Sequence, residues 1–253
     1  DAVVQTPIVL DETSASVSSL LRGAEFGECL HQILERIDFS GDDATASRRI
    51  VVEQVQRAGF AAASEAQFLA LVRATLDAEL LPRLRLRTLL PQYRVAEMEF
   101  HFRLASGGAA VLIDLAQRFP QYAAAFHVLS SSGVALQGLM NGFIDLTLVH
   151  EGRFYVLDYK SNWLGPDARD YAPQRLALAM EQHRYDLQAL IYQVALHRYL
   201  RLRLGIRYRT ELLGGALYVF VRGLSTTNAG AGVVHQQPST DLVEALDQWL
   251  DGE

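Results

Sequence analysis

The sequence predicts an α/β domain in which a mixed central β-sheet is flanked by helices, with further helices added at the N-terminus. Three observations predict it. Apolar residues recur with helical spacing through residues 25–80, alternate with polar residues over 93–104 and 142–160, and return to helical spacing after residue 174. Because a period of 3.6 indicates a helix and a period of 2 a half-buried strand, helices precede and follow a meander of strands.

The N-terminal part is predicted to be helical after an irregular beginning. Residues 1–22 are rich in Ser and Thr and weakly periodic, so we expect a linker or arm there and the domain itself in residues 23–253. The chain does not begin with Met, and we expect it to be a piece of a larger protein. Predicted helices cover residues 25–37, 45–58 and 64–80.

The predicted sheet begins at residues 93–104, whose polar face carries Glu97 and Glu99. Two further β-rich runs, within 142–150 and 153–160, flank a turn at Glu151-Gly152. The remaining predictions are a helix over 109–126 with a break at Pro120, helices over 174–183 and 184–203, a strand over 214–221 and a helix over 240–250.

Composition excludes several classes of protein. The net charge of −6 argues against a broad nucleic-acid-binding coat, although arginines cluster within 83–94 and 198–209, as a local basic surface or as solvated faces. A single cysteine, Cys29, excludes an internal disulfide and an iron–sulfur cluster held by cysteines, and it fits a reducing cytosol. No apolar run approaches the roughly 18 residues of a membrane span, so we expect no membrane partner.

Lys160 is the single lysine among 23 basic residues. A solvated cation tolerates replacement by arginine, whereas a site that needs a compact ammonium does not, because guanidinium is broad and planar. Lys160 is therefore a candidate for chemistry, and the alternative is a surface lysine at the end of a strand.

The predicted hairpin brings two carboxylates close to this lysine. A two-residue turn pairs His150 with Arg153 and, counting outward, places Asp145 opposite Asp158 with Cβ atoms roughly 5 Å apart. Lys160 lies two residues beyond Asp158 and shares its face. Adjacent carboxylates repel unless a cation compensates them, and a divalent ion, Mg²⁺ first, suits oxygen ligands. The alternative is a buried ion pair in which Lys160 balances one aspartate.

These residues resemble a known family. Gly142-Phe-Ile-Asp145 followed by Asp158-Tyr-Lys160 is similar to the split core of the PD-(D/E)XK nucleases, and the wider match resembles their RecB-like branch. The segments that carry it, in the expected order, are 26–31, 142–165, 185–192, 195–200 and 214–223. The resemblance implies a restriction-endonuclease-like core and a metal-dependent deoxyribonuclease.

The resemblance also implies roles for individual residues. Asp145 and Asp158 would be metal ligands with the backbone carbonyl of Tyr159, Lys160 the catalytic lysine, and His31 a ligand carried by the first helix. The ion would be Mg²⁺, with Mn²⁺ or Ca²⁺ as other occupants, and imidazole suits Mn²⁺ better than Mg²⁺. Without the resemblance, His31 would be a half-buried structural histidine.

A helical stripe is the implied contact with DNA. Gln188 and Tyr192 share a helix face at a spacing of four and match a Gln-x-x-x-Tyr motif that contacts the strand in RecB-like nucleases, and Tyr185 extends the stripe. Apolar residues on another face of this helix would leave the stripe free for bases or phosphates, and the alternative is that its aromatics are core. Glu35, Glu97 and Glu99 are further candidates, either close to the metal or simply solvated charges.

The implied function is a Mg²⁺-dependent nuclease domain of a RecB-type helicase–nuclease (exodeoxyribonuclease V type). Its substrate would be mainly single-stranded DNA during double-strand break repair and recombination. The implied partners are RecC- and RecD-like subunits and a RecA-type recombinase, in the bacterial cytoplasm at the nucleoid. The alternative is a nuclease fold without catalysis that docks complex partners or loads the recombinase.

Overall fold

The computed structural model describes residues 22–40, 44–105, 109–131 and 137–251. The predicted arm lies outside the described residues apart from Arg22. The α-helices are α1 (Ala24–Arg36), α2 (Ala44–Arg57), α3 (Glu65–Asp77), α4 (Ala109–Arg118), α5 (Ala123–Ser131), α6 (Pro173–Gln182), α7 (Tyr185–Leu204) and α8 (Thr240–Asp251). The strands are β1 (Arg94–Ala105), β2 (Gln137–His150), β3 (Arg153–Lys160), β4 (Leu213–Phe220) and β5 (Val233–Gln236).

Short 3-10 turns connect these elements. They span Ala62–Ser64, Leu86–Thr88, Pro91–Tyr93, Pro120–Tyr122, Ala168–Tyr171, Gly205–Arg207, Thr210–Leu212 and Val221–Gly223. The predicted break at Pro120 is confirmed, because α4 ends before this proline and the chain resumes helical structure three residues later. Among the helices of the described ranges, none combines the length and the apolar character needed to cross a bilayer.

The described strands form one mixed sheet in the order β1-β2-β3-β4-β5. Strands β3 and β4 run parallel, and the other neighbouring strands run antiparallel. The chain passes from β3 to β4 through α6 and α7. The predicted class, a mixed sheet flanked by helices, is confirmed. The four-residue β5 was not predicted from sequence, because a strand this short gives almost no alternating pattern.

Helices cover both faces of the sheet. The core on one face joins α1–α3 to Leu157 and Val219, and the core on the other face joins α4–α8 to Val156 and Tyr218. All eight residues of β4 are buried, and β3 is buried over its central positions. This double burial explains why the central strands read as nearly continuous apolar runs.

The hairpin turn has the predicted geometry. Glu151 and Gly152 both have positive φ angles, 49° and 76°, as a two-residue turn with the right-handed strand twist requires. The register from His150–Arg153 to Leu146–Leu157 is the predicted one. The ladder ends at that last pair, so Asp145 and Asp158 are not paired across it, which corrects the prediction that they lie directly opposite.

A bend at Glu97 and Asp145 causes this difference. The β1–β2 ladder pairs Ala96 with Leu146 and Met98 with Ile144. Glu97 and Asp145, which lie between these two pairs, are not paired in the ladder. Glu97 has φ 48°, a left-handed conformation. Met98 and Ile144 pack in one core, whereas Ala96 and Leu146 pack in the other. The simple alternation predicted for residues 93–104 is therefore wrong at Glu97, and the bend takes both acids out of the regular faces of the sheet.

Candidate active site

Lys160 and Asp158 form a buried ion pair at the C-terminal end of β3. Lys160 Nζ lies 2.7 Å from Asp158 Oδ2, and the two side chains are 11% and 5% exposed. The partner of this buried oxygen is the ammonium of Lys160. The pair is the ion pair considered as an alternative above, and its burial excludes a surface lysine.

The ammonium of Lys160 is held by a helix as well as by Asp158. Nζ donates a hydrogen bond to Gln188 Oε1 at 3.0 Å, and it lies 3.8 Å from the ring centroid of Tyr185, a cation–π contact. Both partners belong to the first turn of α7. Helix α7, in the connection between β3 and β4, therefore fixes the position of the lysine at the C-terminal end of the central strand β3.

Gln188 is the centre of this hydrogen-bond network. Its Oε1 also accepts a hydrogen bond from the Tyr218 hydroxyl at 3.1 Å, and its Nε2 donates to the Tyr192 hydroxyl at 2.8 Å. Tyr185 stacks on Tyr218 with 5.6 Å between ring centroids. Tyr218 was not among the site residues expected from sequence, because a tyrosine within an apolar strand is typical of the hydrophobic core.

The predicted free stripe on α7 is wrong for Tyr192, which is 8% exposed and packs in the core with Leu196. The physical reason is that the middle of α7, residues 189–197, is buried almost continuously between the sheet and α8, so that no apolar face is distinct from a polar one there. Gln188 and Tyr185 remain part of the site, and the buried Tyr192 accepts a hydrogen bond from Gln188.

His31 and Asp145 hold the backbone of Tyr159. Asp145 Oδ2 accepts a hydrogen bond from the Tyr159 N–H at 2.8 Å and lies 3.4 Å from His31 Nδ1. His31 Nε2 lies 2.8 Å from the Tyr159 carbonyl oxygen and must donate, because a carbonyl oxygen only accepts. Helix α1 comes close enough because Gly27 packs on Ser161, where a Cβ atom would lie 2.7 Å from its Oγ. The predicted residues His31, Asp145 and Tyr159 are thus brought together.

The carboxylates of the site perturb one another. Burial and then the charge of Asp145 raise the pKa of Asp158 to about 6, against the lowering effect of Lys160 and His31. Burial lowers the pKa of His31, but its hydrogen bond with Asp145 and the charges of Asp145 and Asp158 outweigh burial and raise the pKa. The site thus has a surplus of negative charge.

Glu97, and not Glu99, belongs to this electrostatic group. Burial and the charges of Asp145 and Glu35 raise the pKa of Glu97. Glu99 is instead half exposed and lies 3.2 Å from His101 Nε2. Glu35 is an exposed residue whose charge reaches Glu97. The left-handed backbone conformation at Glu97 explains why Glu97 and not Glu99 lies near the acidic groups of the site. The alternation of the strand alone could not distinguish the two residues.

The predicted metal ligands fit a divalent ion by their chemistry but are not preformed. The described residues contain no group of three or more His, Cys, Asp or Glu side chains arranged to hold a metal. His31 bonds to Asp145 and the Tyr159 carbonyl, whereas Asp158 pairs with Lys160, so each carboxylate already has a protein partner. The fit rests on the chemistry of the donor set, which consists of carboxylate and carbonyl oxygens with one imidazole, and on the burial of Asp158.

Comparison with known families agrees with this arrangement. Residues 10–253 match the PD-(D/E)XK nuclease superfamily. The chain therefore belongs to this superfamily, and its mixed sheet with an Asp-x-Lys sequence at the end of a central strand is consistent with that assignment.

Among individual proteins, the chain is similar to RecB subunits of RecBCD enzymes. It is 35% identical to that of Escherichia coli (strain K12) over 96% of the chain and 20% of the relative. It is 34% identical to that of Mycolicibacterium smegmatis over 98% of the chain and 26% of the relative, and 30% identical to that of Haemophilus influenzae over 98% and 20%. The chain thus spans about a fifth to a quarter of the length of these relatives.

Proposed function

We propose that this chain is a metal-dependent DNA nuclease domain that hydrolyses phosphodiester bonds, mainly in single-stranded DNA. It would act within a RecB-type helicase–nuclease of the exodeoxyribonuclease V type during double-strand break repair and recombination. The observation that carries the proposal is the buried Asp158–Lys160 pair beside Asp145 and His31, at the edge of a sheet of the nuclease superfamily.

The ion would be Mg²⁺, with Mn²⁺ or Ca²⁺ able to replace it, held by Asp145, Asp158, the Tyr159 carbonyl and His31. When bound, such an ion polarises a phosphoryl oxygen and lowers the pKa of a coordinated water. The surplus negative charge that raises the pKa of Asp158 favours a cation at this place.

The role of Lys160 is to stabilise negative charge on the phosphate that is cleaved. Asp158, Gln188 and the Tyr185 ring hold its ammonium, so the charge is in place before the substrate arrives. We infer that Gln188 and Tyr192 position this lysine, and that a DNA strand would pass beside the half-buried Tyr185.

Cleavage of a labelled single-stranded oligonucleotide in the presence of Mg²⁺ tests the proposal. We expect Lys160→Ala and Asp158→Ala to reduce the rate by about 100-fold or more, because Lys160 would stabilise negative charge on the reacting phosphate and Asp158 would hold the metal ion. Arg175→Ala, on the exposed side of α6, is the matched control and should cleave at the wild-type rate. Circular dichroism establishes that each variant is folded.

Wild-type rates in both site variants would contradict the proposal. Absence of cleavage and of metal binding in the unmodified protein, measured by titration with Mg²⁺ and Mn²⁺, would favour a docking module without catalysis. We propose RecC- and RecD-like subunits and a RecA-type recombinase as partners, in the bacterial cytoplasm at the nucleoid, by similarity to the RecB subunits.

A further inference from the structure

Three aromatic rings form a stack that leads from the surface to the lysine. Tyr185, whose ring centroid lies 3.8 Å from Lys160 Nζ, stacks on Tyr218 and also on His183. The centroids of His183 and Tyr185 are 5.2 Å apart, and the two ring planes differ by 18°. Tyr218 is fully buried, Tyr185 is half-buried and His183 is exposed. The stack therefore ends at the surface in an imidazole ring beside the proposed active site.

One amide side chain holds the edges of the two outer rings. The Asn162 amide nitrogen donates a hydrogen bond to His183 Nε2 at 3.2 Å, and its side-chain oxygen accepts one from the Tyr185 hydroxyl at 3.2 Å. An amide nitrogen only donates, so Nε2 accepts and the neutral imidazole carries its proton on Nδ1. Asn162 lies two residues after Lys160. The segment that follows the lysine thus fixes the orientation of His183.

An uncommon backbone conformation makes the stack possible. His183 and Tyr185 are two residues apart, and residues at this spacing do not face each other on a helix. Here α6 ends at Gln182 and α7 begins at Tyr185, and Arg184 between them is left-handed, with φ 56° and ψ 34°. Residues other than glycine rarely adopt this conformation, and those that do are concentrated at functional sites. The left-handed link between the two helices therefore brings the imidazole onto the tyrosine ring.

An exposed ring that is held in a fixed orientation suits a nucleobase. One face of the imidazole lies on Tyr185, and its Nε2 bonds to Asn162, yet His183 remains exposed. Single-stranded nucleic acids bind proteins largely by stacking of their bases on aromatic side chains, histidine included. Both faces of a base within a duplex are already stacked, and freeing the base costs energy. Such a platform therefore favours a strand whose bases are unpaired.

We propose that His183 stacks on an unpaired base next to the phosphate at Lys160, and that this contact contributes to a preference for single-stranded DNA. This inference rests on the proposed function and adds to it a residue that determines substrate specificity. Tyr185 joins the two parts of the site, because its ring contacts both the ammonium and the imidazole. His183 contacts a base and no reacting atom, so it sets specificity and takes no part in the chemistry.

Binding to DNA with and without bases tests this stacking platform. Affinities are measured in EDTA, which removes divalent ions, for labelled oligothymidylate and for an oligomer of equal length that has the sugar–phosphate backbone but no bases. We expect His183→Ala to bind oligothymidylate about 5–100-fold more weakly than the wild type does, the range for one base stacked on an aromatic ring. Both proteins should bind the base-free backbone equally, because it has no base to stack.

Further variants separate stacking from folding. His183→Phe keeps a ring on Tyr185 and should retain most of the affinity for oligothymidylate. His101→Ala removes an exposed histidine from β1, where it pairs with Glu99, and should bind both oligomers as the wild type does. If His183→Ala unfolds at the assay temperature, His183→Leu replaces it, since leucine keeps apolar contact with Tyr185 but offers no aromatic face.

Equal weakening on both oligomers, or unchanged binding of oligothymidylate by His183→Ala, would overturn the stacking platform and leave the nuclease intact. A wild-type protein that does not cleave single-stranded DNA with Mg²⁺ would instead overturn the proposed function. With an active wild type, the ratio of cleavage rates on single-stranded and double-stranded DNA should fall in His183→Ala by a similar factor, and an unchanged ratio would also contradict the platform. The two failures are therefore distinguishable.

Discussion

At the scale of single residues, Gln188 fixes the position of the Lys160 ammonium. One amide side chain accepts from Lys160 and Tyr218 and donates to Tyr192. Tyr218 is fully buried and Tyr192 nearly so. The amide therefore satisfies two buried hydroxyls while it holds the ammonium, and structure and proposed chemistry depend on the same group.

We predict that Gln188→Ala lowers kcat by about 10–100-fold with a smaller change in KM, since residues that orient an active group typically have effects of this size. If Gln188 instead contacted DNA directly, KM would rise while kcat changed little. Steady-state cleavage kinetics separates the two.

The Gln188→Ala variant should also be less stable than the wild type, and Tyr192→Phe is its control. Removal of the amide leaves the Tyr218 and Tyr192 hydroxyls unsatisfied, so unfolding free energy should fall by about 1–3 kcal/mol. Tyr192→Phe removes one of these hydroxyls without disturbing the lysine directly, and its cleavage rate should remain closer to that of the wild type. Equal loss of kcat in the two variants would contradict the central role of Gln188.

At the scale of elements, the antiparallel pair of strands β1 and β2 supports α7 through one glycine. A Cβ atom on Gly142 would lie 2.7 Å from Cζ of Phe100, its partner across the ladder. The Phe100 ring packs edge to face on Tyr192, with 5.9 Å between centroids at 74°. A glycine in β2 thus lets an aromatic ring lie on the sheet and support the tyrosine beneath Gln188.

Gly142→Val should destabilise the protein by about 1–3 kcal/mol, because the ring cannot move away without disturbing Tyr192. Strand propensity alone predicts the opposite sign, since valine is favoured in strands. Urea denaturation measures the effect. Asn141→Val, an exposed neighbour on the same strand, should change stability by less than about 0.5 kcal/mol. A stabilising Gly142→Val would contradict the packing argument.

At the scale of the whole molecule, Asp247 joins the crossover helix to the C-terminal helix. The Asp247 side chain is 6% exposed, and it pairs with Arg198, with Arg201 at 2.9 Å and with His197 at 3.5 Å. Burial would raise the pKa of Asp247, but hydrogen bonds from His197 and Arg198 and the charges of Arg198 and Arg201 lower it to about 2. This network holds α8 against α7 on the face of the sheet opposite α1–α3.

The lowered pKa predicts a pH dependence of stability. The carboxyl group has a pKa of about 3.9 in the unfolded chain, so its contribution is fully present above that value and is lost as pH falls toward 2. A shift of this size corresponds to about 2 kcal/mol. We expect the difference in unfolding free energy between the wild type and Asp247→Asn to shrink by about this amount between pH 5 and pH 2.

Urea denaturation followed by the fluorescence of the buried Trp249, on the same helix, measures this difference. Asp251→Asn is the matched control, because Asp251 pairs with the same Arg198 but is 47% exposed and should show a much smaller pH dependence. A difference for Asp247→Asn that does not vary with pH would contradict the prediction.

The sequence by itself determined the order of the helices and of strands β1–β4, the turn at Glu151-Gly152 and the register of the central hairpin, and it singled out Lys160 as a candidate for chemistry. Each of these depends on local spacing or on composition, which a sequence contains directly. The tertiary structure decided the rest. Whether Asp145 faces Asp158 depends on a left-handed residue in another strand, Glu97. Whether Tyr192 is free or buried depends on how closely α7 is enclosed. The approach of His31 to Tyr159 joins segments more than a hundred residues apart. Such contacts follow from the packing of the whole chain, because no periodicity within one segment records which distant segment covers it.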